Sequence, residues 1–168
     1  MNGLRVASLM AATMTTGLVA GVYAIYANAF MPGLEKTDDR TFVGAFTAVD
    51  RAIVNPLFLG LGFVGALLFT LLAGLVSLKE NALPWIAVAF VLYLVSMILT
   101  VAVNVPLNDA LKAAGDPNTI DVAAARAAFD EAKWTAFNLA RTILAIVSFG
   151  LLGWALYLSG KSAAQPLR

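Results

Sequence analysis

The stretch Lys133-Trp134-Thr135-Ala136-Phe137-Asn138-Leu139-Ala140-Arg141 carries positive charge into the start of an otherwise apolar helix. Trp134, Asn138 and Arg141 are spaced i, i+4 and i+7, so on an α-helix they share one face. Lipid is a poor environment for such groups, because amide and charged side chains lose their water there. This face therefore points into a protein interior or a watery groove, which the neighbouring helices must provide.

The composition is that of a small membrane protein. Of the 168 residues, 61% are hydrophobic and 12% are charged, whereas a soluble domain has roughly half apolar and a quarter charged residues. The formal net charge is +1, and the intermixed acids and bases argue against a nucleic-acid partner. Cysteine and histidine are absent. Disulfides, the usual zinc sites, histidine-ligated haem and the commonest general base are thereby excluded, and we expect no cofactor and no metal.

Four apolar segments are long enough to cross a bilayer, which takes about 20 mostly apolar residues. They run approximately over Leu4 to Met31, Val54 to Leu78, Pro84 to Val105 and Ala136 to Leu158. The first exceeds the roughly 7 to 15 apolar residues of a signal-peptide core, so we expect a retained span. The sequence predicts a single all-α membrane domain over residues 1–168. Its fold is a four-transmembrane-helix bundle with a short amphipathic helix after helix 1 and a helical extension between helices 3 and 4.

The connection after the first span is predicted to be helical. Thr37 or Asp38 can cap a short amphipathic helix there. Its apolar face carries Phe42, Phe46, Val49 and Ile53, and its solvated face carries Asp39, Arg40, Asp50 and Arg51. We favour an interfacial anchor over a catalytic lid for this helix.

The connection between the third and fourth spans also has helical signals. Pro106 is expected to kink the third helix, which then resumes and stops at Gly115. Asp121 is a good N-cap for the next segment. Neither glycine nor proline occurs from Val122 to Phe149, so the fourth helix is predicted to start outside the membrane and to run into it without a break.

Basic residues give the orientation. Both termini and the loop from Lys79 to Leu83 share one side of the membrane, which holds Arg5, Lys79, Lys161 and Arg168 against Glu80 alone. The longer connections on the other side hold six basic residues together with nine of the ten acids. By the positive-inside rule, the sequence predicts a multi-pass protein of the cell membrane with cytoplasmic termini.

Polar side chains inside the spans are predicted to converge at the extracytoplasmic face, in a pocket for a flat lipophilic molecule. The candidate ligand-binding residues are Tyr23, Asn55, Asn104, Asn108, Trp134, Asn138 and Arg141. Each has a plainer alternative. The asparagines can be caps or interhelical hydrogen-bonding groups, and for Trp134 we favour an aromatic-belt position at the membrane interface. Arg141 either extends to the headgroups or is buried with an acidic partner, of which Glu35, Asp50 and Asp109 are nearest.

Four motifs carry a family resemblance: Met31-Pro32-Gly33-Leu34, Asn55-Pro56-Leu57, Asn104-Val105-Pro106-Leu107-Asn108, and Trp134 followed by Phe137-Asn138-Leu139-Ala140-Arg141. Together they resemble the anthrone-oxygenase-like membrane family. The resemblance implies oxidation of an anthrone to an anthraquinone by dioxygen without an evident metal or flavin. The family pattern reads Trp-Asn-His where this chain has Phe137-Asn138-Leu139, so a role for that histidine as a base is not carried over.

Two hypotheses of function follow. In the first, Arg141, Asn104 and Asn138 stabilise the enolate of an anthrone, with Asp109, Asp50 or Tyr23 as the base. The second, supported by the missing histidine, is a non-catalytic accessory or scaffold subunit of a larger membrane complex. The expected partners are the lipid bilayer, a small lipophilic ligand, and either another membrane protein or further copies of this chain.

Overall fold

The computed structural model describes residues 3–164, with side chains as far as Lys161; Arg168, which contributes to the charge count above, lies outside them. Within this range the chain forms six helices and no strand. In chain order they are α1 (Gly3–Leu34), α2 (Asp39–Ile53), α3 (Leu57–Leu75), α4 (Leu83–Ala113), α5 (Val122–Phe129) and α6 (Glu131–Ala164). Four of these, α1, α3, α4 and α6, are long and apolar enough to span a membrane. The predicted all-α bundle of four spans is therefore confirmed.

The four long helices form a closed ring. Helix α6 packs along both α1 and α4, and α3 packs against both of these as well. Small residues such as Ala12, Ala73, Ala89 and Ala155 are fully buried where the helices meet. In lipid the hydrophobic effect does not hold helices together as it does in a soluble bundle, so close packing of this kind stabilises the ring instead. Leucine, isoleucine and valine side chains cover the outside of the ring, where lipid would contact them.

A helical cap covers one end of the ring. It consists of α2, the end of α4 from Val105 to Ala113, and α5, which pack on one another. Its interior is aromatic, with Phe42, Phe46 and Phe129 stacked edge-on or face-on against their neighbours. Trp134 at the start of α6 completes this cluster. Tyr26, Met31 and Leu34 of α1 belong to the same apolar cluster, so the cap is joined to the ends of α1 and α6 by buried apolar contacts.

Helix α2 confirms one sequence prediction and corrects two details. Asp38, rather than Thr37, is its N-cap, with the Asp38 carboxylate accepting the Thr41 backbone N–H at 3.0 Å. Val49, expected on the apolar face, is 37% exposed. Asp50, expected on the solvated face, is only 6% exposed, because this side of α2 is covered by the end of α4.

The predicted unbroken fourth helix is wrong. The chain breaks at Asp130, whose φ of 53° lies in the left-handed region, and this residue separates α5 from α6. Aspartate is one of the few non-glycine residues that visit this region, because its short polar side chain hydrogen-bonds locally. Here its carboxylate accepts the backbone N–H of Lys133 and so caps α6.

Three stretches within the spans have wider π-helical turns: Tyr26–Phe30 in α1, Leu57–Val64 in α3 and Thr100–Asn104 in α4. Two of them directly precede a proline segment, at Pro32 and Pro106. A proline ring clashes with the carbonyl four residues earlier, and a π turn gives that carbonyl room. At the place where we expected a kink at Pro106, the structure has this wide turn.

Candidate functional site

A cavity of about 240 Å³ lies between the cap and the four-helix ring. Its apolar walls are Val22, Ile53, Val54, Phe58, Leu59, Phe63, Val101 and Val105, and its polar lining is Tyr23, Tyr26, Asp50, Thr100, Asn108, Trp134 and Arg141. All three π-helical stretches contribute to the lining. Such turns are frequent at functional sites, because they change which side chains a helix presents. Val54 and Val101 are also 54% and 58% exposed, so one side of the cavity borders the outer surface of the bundle.

Arg141 is buried at this cavity, with 6% of its surface exposed, and does not extend to the headgroups. Its guanidinium donates twice to the Asn138 side-chain oxygen, at 3.1 and 2.9 Å, and once to the Thr100 hydroxyl at 3.2 Å. It also lies over the Tyr23 ring, 4.3 Å from the centroid. Three hydrogen bonds use three of its five N–H donors, so the guanidinium keeps donors for a ligand.

The expected acidic partner of Arg141 is not found among the described residues. Asp50 and Asp109 both pair with Lys112 instead, at 2.7 and 2.9 Å, and Glu35 lies at the exposed start of the connection to α2. Contact with aromatic rings and with amide oxygen replaces a carboxylate as the environment of this cation. Arg141 is thus a positive charge that an anionic ligand is able to neutralise.

A second polar chain holds Asp50. The Asn108 amide donates to one Asp50 oxygen at 2.7 Å, and the Lys112 ammonium lies 2.7 Å from the other. In turn, the Trp134 indole N–H donates to the Asn108 side-chain oxygen at 2.7 Å. Trp134 is 1% exposed, so its expected position in an aromatic belt is wrong. Its buried ring supports the cap, and its N–H orients Asn108.

The other predicted site residues divide into two groups. Tyr23 lines the cavity, and its hydroxyl lies 3.1 Å from that of Thr100. Asn104 and Asn138 are fully buried beside the cavity, where they donate to the backbone carbonyls of Trp134 and Tyr23. They connect helices and hold Arg141 and Trp134 in place.

Asn55 and Asp109 do not join the cluster. The Asn55 side chain bonds locally, donating to the Ala52 carbonyl and accepting the Phe58 N–H at 2.9 Å, so it caps α3. Asp109 has a side chain 62% exposed, pairs with Lys112 and is not part of the cavity lining. Asp109 is therefore a poor candidate for a base, and Asp50 is the carboxylate that lines the cavity.

Sequence reasoning missed Tyr26 as a site residue. A signal was available, because Tyr26 follows Tyr23 by three positions and so shares its helix face. Leu139, at the position of the missing family histidine, is 52% exposed on the outer side of α6 and does not line the cavity. The residues that line the cavity therefore do not include the position at which this chain departs from the pattern of the family it resembles.

Fold and site together define an integral membrane bundle of four spans with a polar-lined cavity beneath a helical cap. A profile of the family described as anthrone oxygenase matches residues 45–151, well over half of the chain, including Asp50, Asn108 and Arg141. The chain belongs to the anthrone oxygenase family. No curated protein and no solved structure matches it.

Proposed function

We propose that the protein is a cofactor-independent oxygenase that converts an anthrone-type substrate to the corresponding quinone in this cavity. One observation carries the proposal: a carboxylate, Asp50, and a guanidinium that has no carboxylate partner among the described residues, Arg141, line the same largely apolar cavity. An acid–base pair of this kind suits a flat ketone whose methylene group is acidic. The family membership supports the same chemistry.

Proton abstraction is the first step. Asp50 accepts a proton from the ring methylene, and the electron pair of the C–H bond moves into the ring system and onto the ketone oxygen. Arg141 donates hydrogen bonds to the resulting enolate oxygen. Fixed donors aimed at developing negative charge in a site shielded from water are typically the largest contribution to catalysis.

Dioxygen then reacts with the electron-rich carbon and forms a C–O bond. The peroxide takes the proton back from Asp50 and becomes a hydroperoxide. Loss of the remaining C–H proton, with cleavage of the O–O bond, gives the second carbonyl and water. The balance is one methylene plus one O₂ to one carbonyl plus one H₂O, so dioxygen is the only oxidant required.

The size of the cavity limits the substrate. Ligand pockets usually have volumes of about 300–1,000 Å³, and this cavity, at about 240 Å³, lies just below that range. Its apolar walls and the neighbouring lipid-facing surface favour a compact, flat and lipophilic molecule. A small tricyclic aromatic ketone meets these conditions.

The test is oxygen uptake by the purified protein in lipid nanodiscs supplied with anthrone, with quinone formation followed by absorbance. We expect Asp50→Asn to lower the protein-dependent rate by about 10²- to 10⁴-fold, the range typical of a lost general base. Asp109→Asn is the matched control, since it removes an exposed carboxylate that pairs with the same lysine, and its rate should stay near that of the unmodified protein. A folded protein with no rate above that of empty nanodiscs would contradict the proposal.

We also propose that the protein lies in the cell membrane with both termini in the cytoplasm. The support is that this side of the membrane carries Arg5, Lys79, Lys161 and Arg168 against Glu80 alone, whereas the other side carries six basic residues with nine acids. The cavity would then open near the extracytoplasmic face of the membrane, where a lipophilic substrate is able to approach from the outer leaflet.

A further inference from the structure

Tyr26 stands at the start of the π-helical stretch of α1 and lines the cavity. Its ring is 9% exposed and packs between two aromatic neighbours, 4.9 Å from Phe30 and 5.7 Å from Trp134, measured between ring centroids. These contacts fix the plane of the ring. The hydroxyl is the only polar group that this side chain can offer to a ligand in the cavity.

The hydroxyl of Tyr26 differs from those of the two other buried tyrosines. Tyr23 bonds to Thr100 at 3.1 Å, and Tyr93 donates to the Phe63 carbonyl at 2.9 Å. Among the described residues, the Tyr26 hydroxyl has no hydrogen-bond partner. The Tyr26 oxygen is not among the fully buried atoms of the described residues that lack a partner, so it faces the cavity, where a ligand that displaces water has to replace the hydrogen bond. A group that enters the cavity is therefore expected to supply the missing bond.

The surroundings of this hydroxyl place it close to the proposed chemistry. Tyr26, Asp50 and Arg141 line the same cavity, and the Tyr26 ring packs on Trp134, whose ring centroid lies 5.4 Å from the Arg141 guanidinium. A ligand that occupies the space between the carboxylate and the guanidinium therefore passes near Tyr26. The Tyr26 hydroxyl can donate to, or accept from, an oxygen attached to that ligand.

We propose that Tyr26 is a specificity-determining residue whose hydroxyl binds an oxygen substituent on the ring system of the ligand. This inference rests on the proposed function for the location of the ligand and adds a requirement for its chemistry. A phenolic or carbonyl oxygen that reaches Tyr26 is recognised, and an analogue without it leaves the hydroxyl unpaired. A site built to hydrogen-bond a substituent discriminates strongly against ligands that lack it.

Binding of stable quinones tests this without any need for turnover. The probes are 9,10-anthraquinone and its 1-hydroxy and 2-hydroxy derivatives, titrated into the protein in nanodiscs and followed by quenching of intrinsic fluorescence. We expect Tyr26→Phe to weaken binding of at least one hydroxylated probe by about threefold to tenfold, the effect of one neutral hydrogen bond. Binding of unsubstituted anthraquinone should be unchanged, and thermal stability should be retained because the lost hydroxyl has no protein partner.

Tyr93→Phe is the matched control, since it removes a buried tyrosine hydroxyl that bonds to the protein and lies outside the cavity lining. It should lower the thermal midpoint and leave the preference among the three probes as it was. Equal loss of all three probes on Tyr26→Phe, or no loss of any, would overturn the role of Tyr26. Binding of the quinones without any oxidation of anthrone would overturn the proposed function instead, so the two failures are distinguishable.

Discussion

A single donor, the indole N–H of Trp134, sets the direction of the polar chain that ends at Asp50. An asparagine amide can point either way, but an indole N–H can only donate. The Asn108 oxygen must therefore face Trp134, and the Asn108 NH₂ group must face Asp50. The donor that holds one Asp50 oxygen is therefore itself fixed, and Lys112 holds the other oxygen.

Replacement of Trp134 by phenylalanine tests this arrangement. Trp134→Phe keeps an aromatic ring in the cap but removes the N–H, so Asn108 loses its orientation and its hydrogen bond. We expect the free energy of unfolding to fall by about 1–3 kcal/mol, from the lost bond and the smaller ring, and the anthrone oxidation rate to fall as well. Thermal unfolding in detergent and oxygen uptake measure the two effects.

The control is Trp154→Phe, because Trp154 is 47% exposed on the outside of the bundle and its ring contacts only Trp85 and Tyr157 among the described aromatic side chains. It should leave oxidation unchanged. Equal effects of the two substitutions on the rate would show that orientation of Asn108 is irrelevant to the site.

At the residue level, much of the site followed from spacing alone. Trp134, Asn138 and Arg141 share a helix face, and all three are buried at or beside the cavity. Spacing did not decide whether Arg141 extends to the headgroups or is buried, because that depends on which side chains of other helices lie opposite it. Arg141 is buried because Tyr23 of α1 and Thr100 of α4 contact it, and the sequence carries no direct signal for that match between helices.

The start of α2 is an element held by one carboxylate. Hydrogen bonds from the Thr41 hydroxyl and from the Thr41 backbone N–H hold the pKa of Asp38 below its usual range. A lowered pKa in the folded state means that the ionised cap adds stability above the unfolded pKa of about 3.9 and loses it as the pH falls through the folded value. We expect Asp38→Ala to lower the thermal midpoint at pH 7, with the difference disappearing in acid.

Asp38→Asn distinguishes the cap from the charge. Asparagine is about as good an N-cap as aspartate, so this variant should stay close to the unmodified protein at pH 7 and show a weaker dependence on pH. Thermal scans from pH 7 to pH 3 measure both variants. A destabilisation by Asp38→Ala that is constant over this range would exclude the ionised cap as its cause.

No glycine or proline marks the break between α5 and α6, and the break gives a prediction about Asp130. Asp130 adopts a left-handed conformation and caps α6 at the same time. Alanine at this position loses both advantages, so we expect Asp130→Ala to lower the free energy of unfolding by about 1–3 kcal/mol. Asp130→Asn should be nearly neutral, because asparagine tolerates the left-handed region and also caps helices. Denaturant unfolding of the two variants checks this, and equal stability of alanine and asparagine would contradict it.

Elements were predictable to different degrees for physical reasons. Long apolar runs gave the four spans, and the acidic caps Asp38 and Asp121 gave the starts of α2 and α5. The break at Asp130 and the π-helical turns were not predictable in the same way. Both depend on small differences in backbone energy that the packing of the cap and the bundle decides, and no residue type marks them uniquely.

At the scale of the whole molecule, the cavity exists because the helices pack differently at the two ends of the bundle. Away from the cap, alanines allow the helices to approach closely around Leu9, Ile86 and Leu152. Near the cap, three helices widen into π turns, and α2 closes the end with its aromatic face and Asp50. A sequence predicts which face of each helix is polar, but the volume between the faces depends on the relative rotation of all the helices. The cavity therefore needed the structure.

The orientation of the bundle in the membrane decides from which side a substrate reaches the cavity. Because the chain contains no cysteine, single cysteines report sidedness without background labelling. Lys36, between α1 and α2, and Lys79, between α3 and α4, are exposed lysines in opposite connections. With cytoplasmic termini, Lys36→Cys should react with a membrane-impermeant maleimide in intact cells, whereas Lys79→Cys should react only after the membrane is permeabilised. The reverse pattern would place the cap and the cavity on the cytoplasmic side, because the loop containing Lys79 and the cap lie at opposite ends of the same two spans.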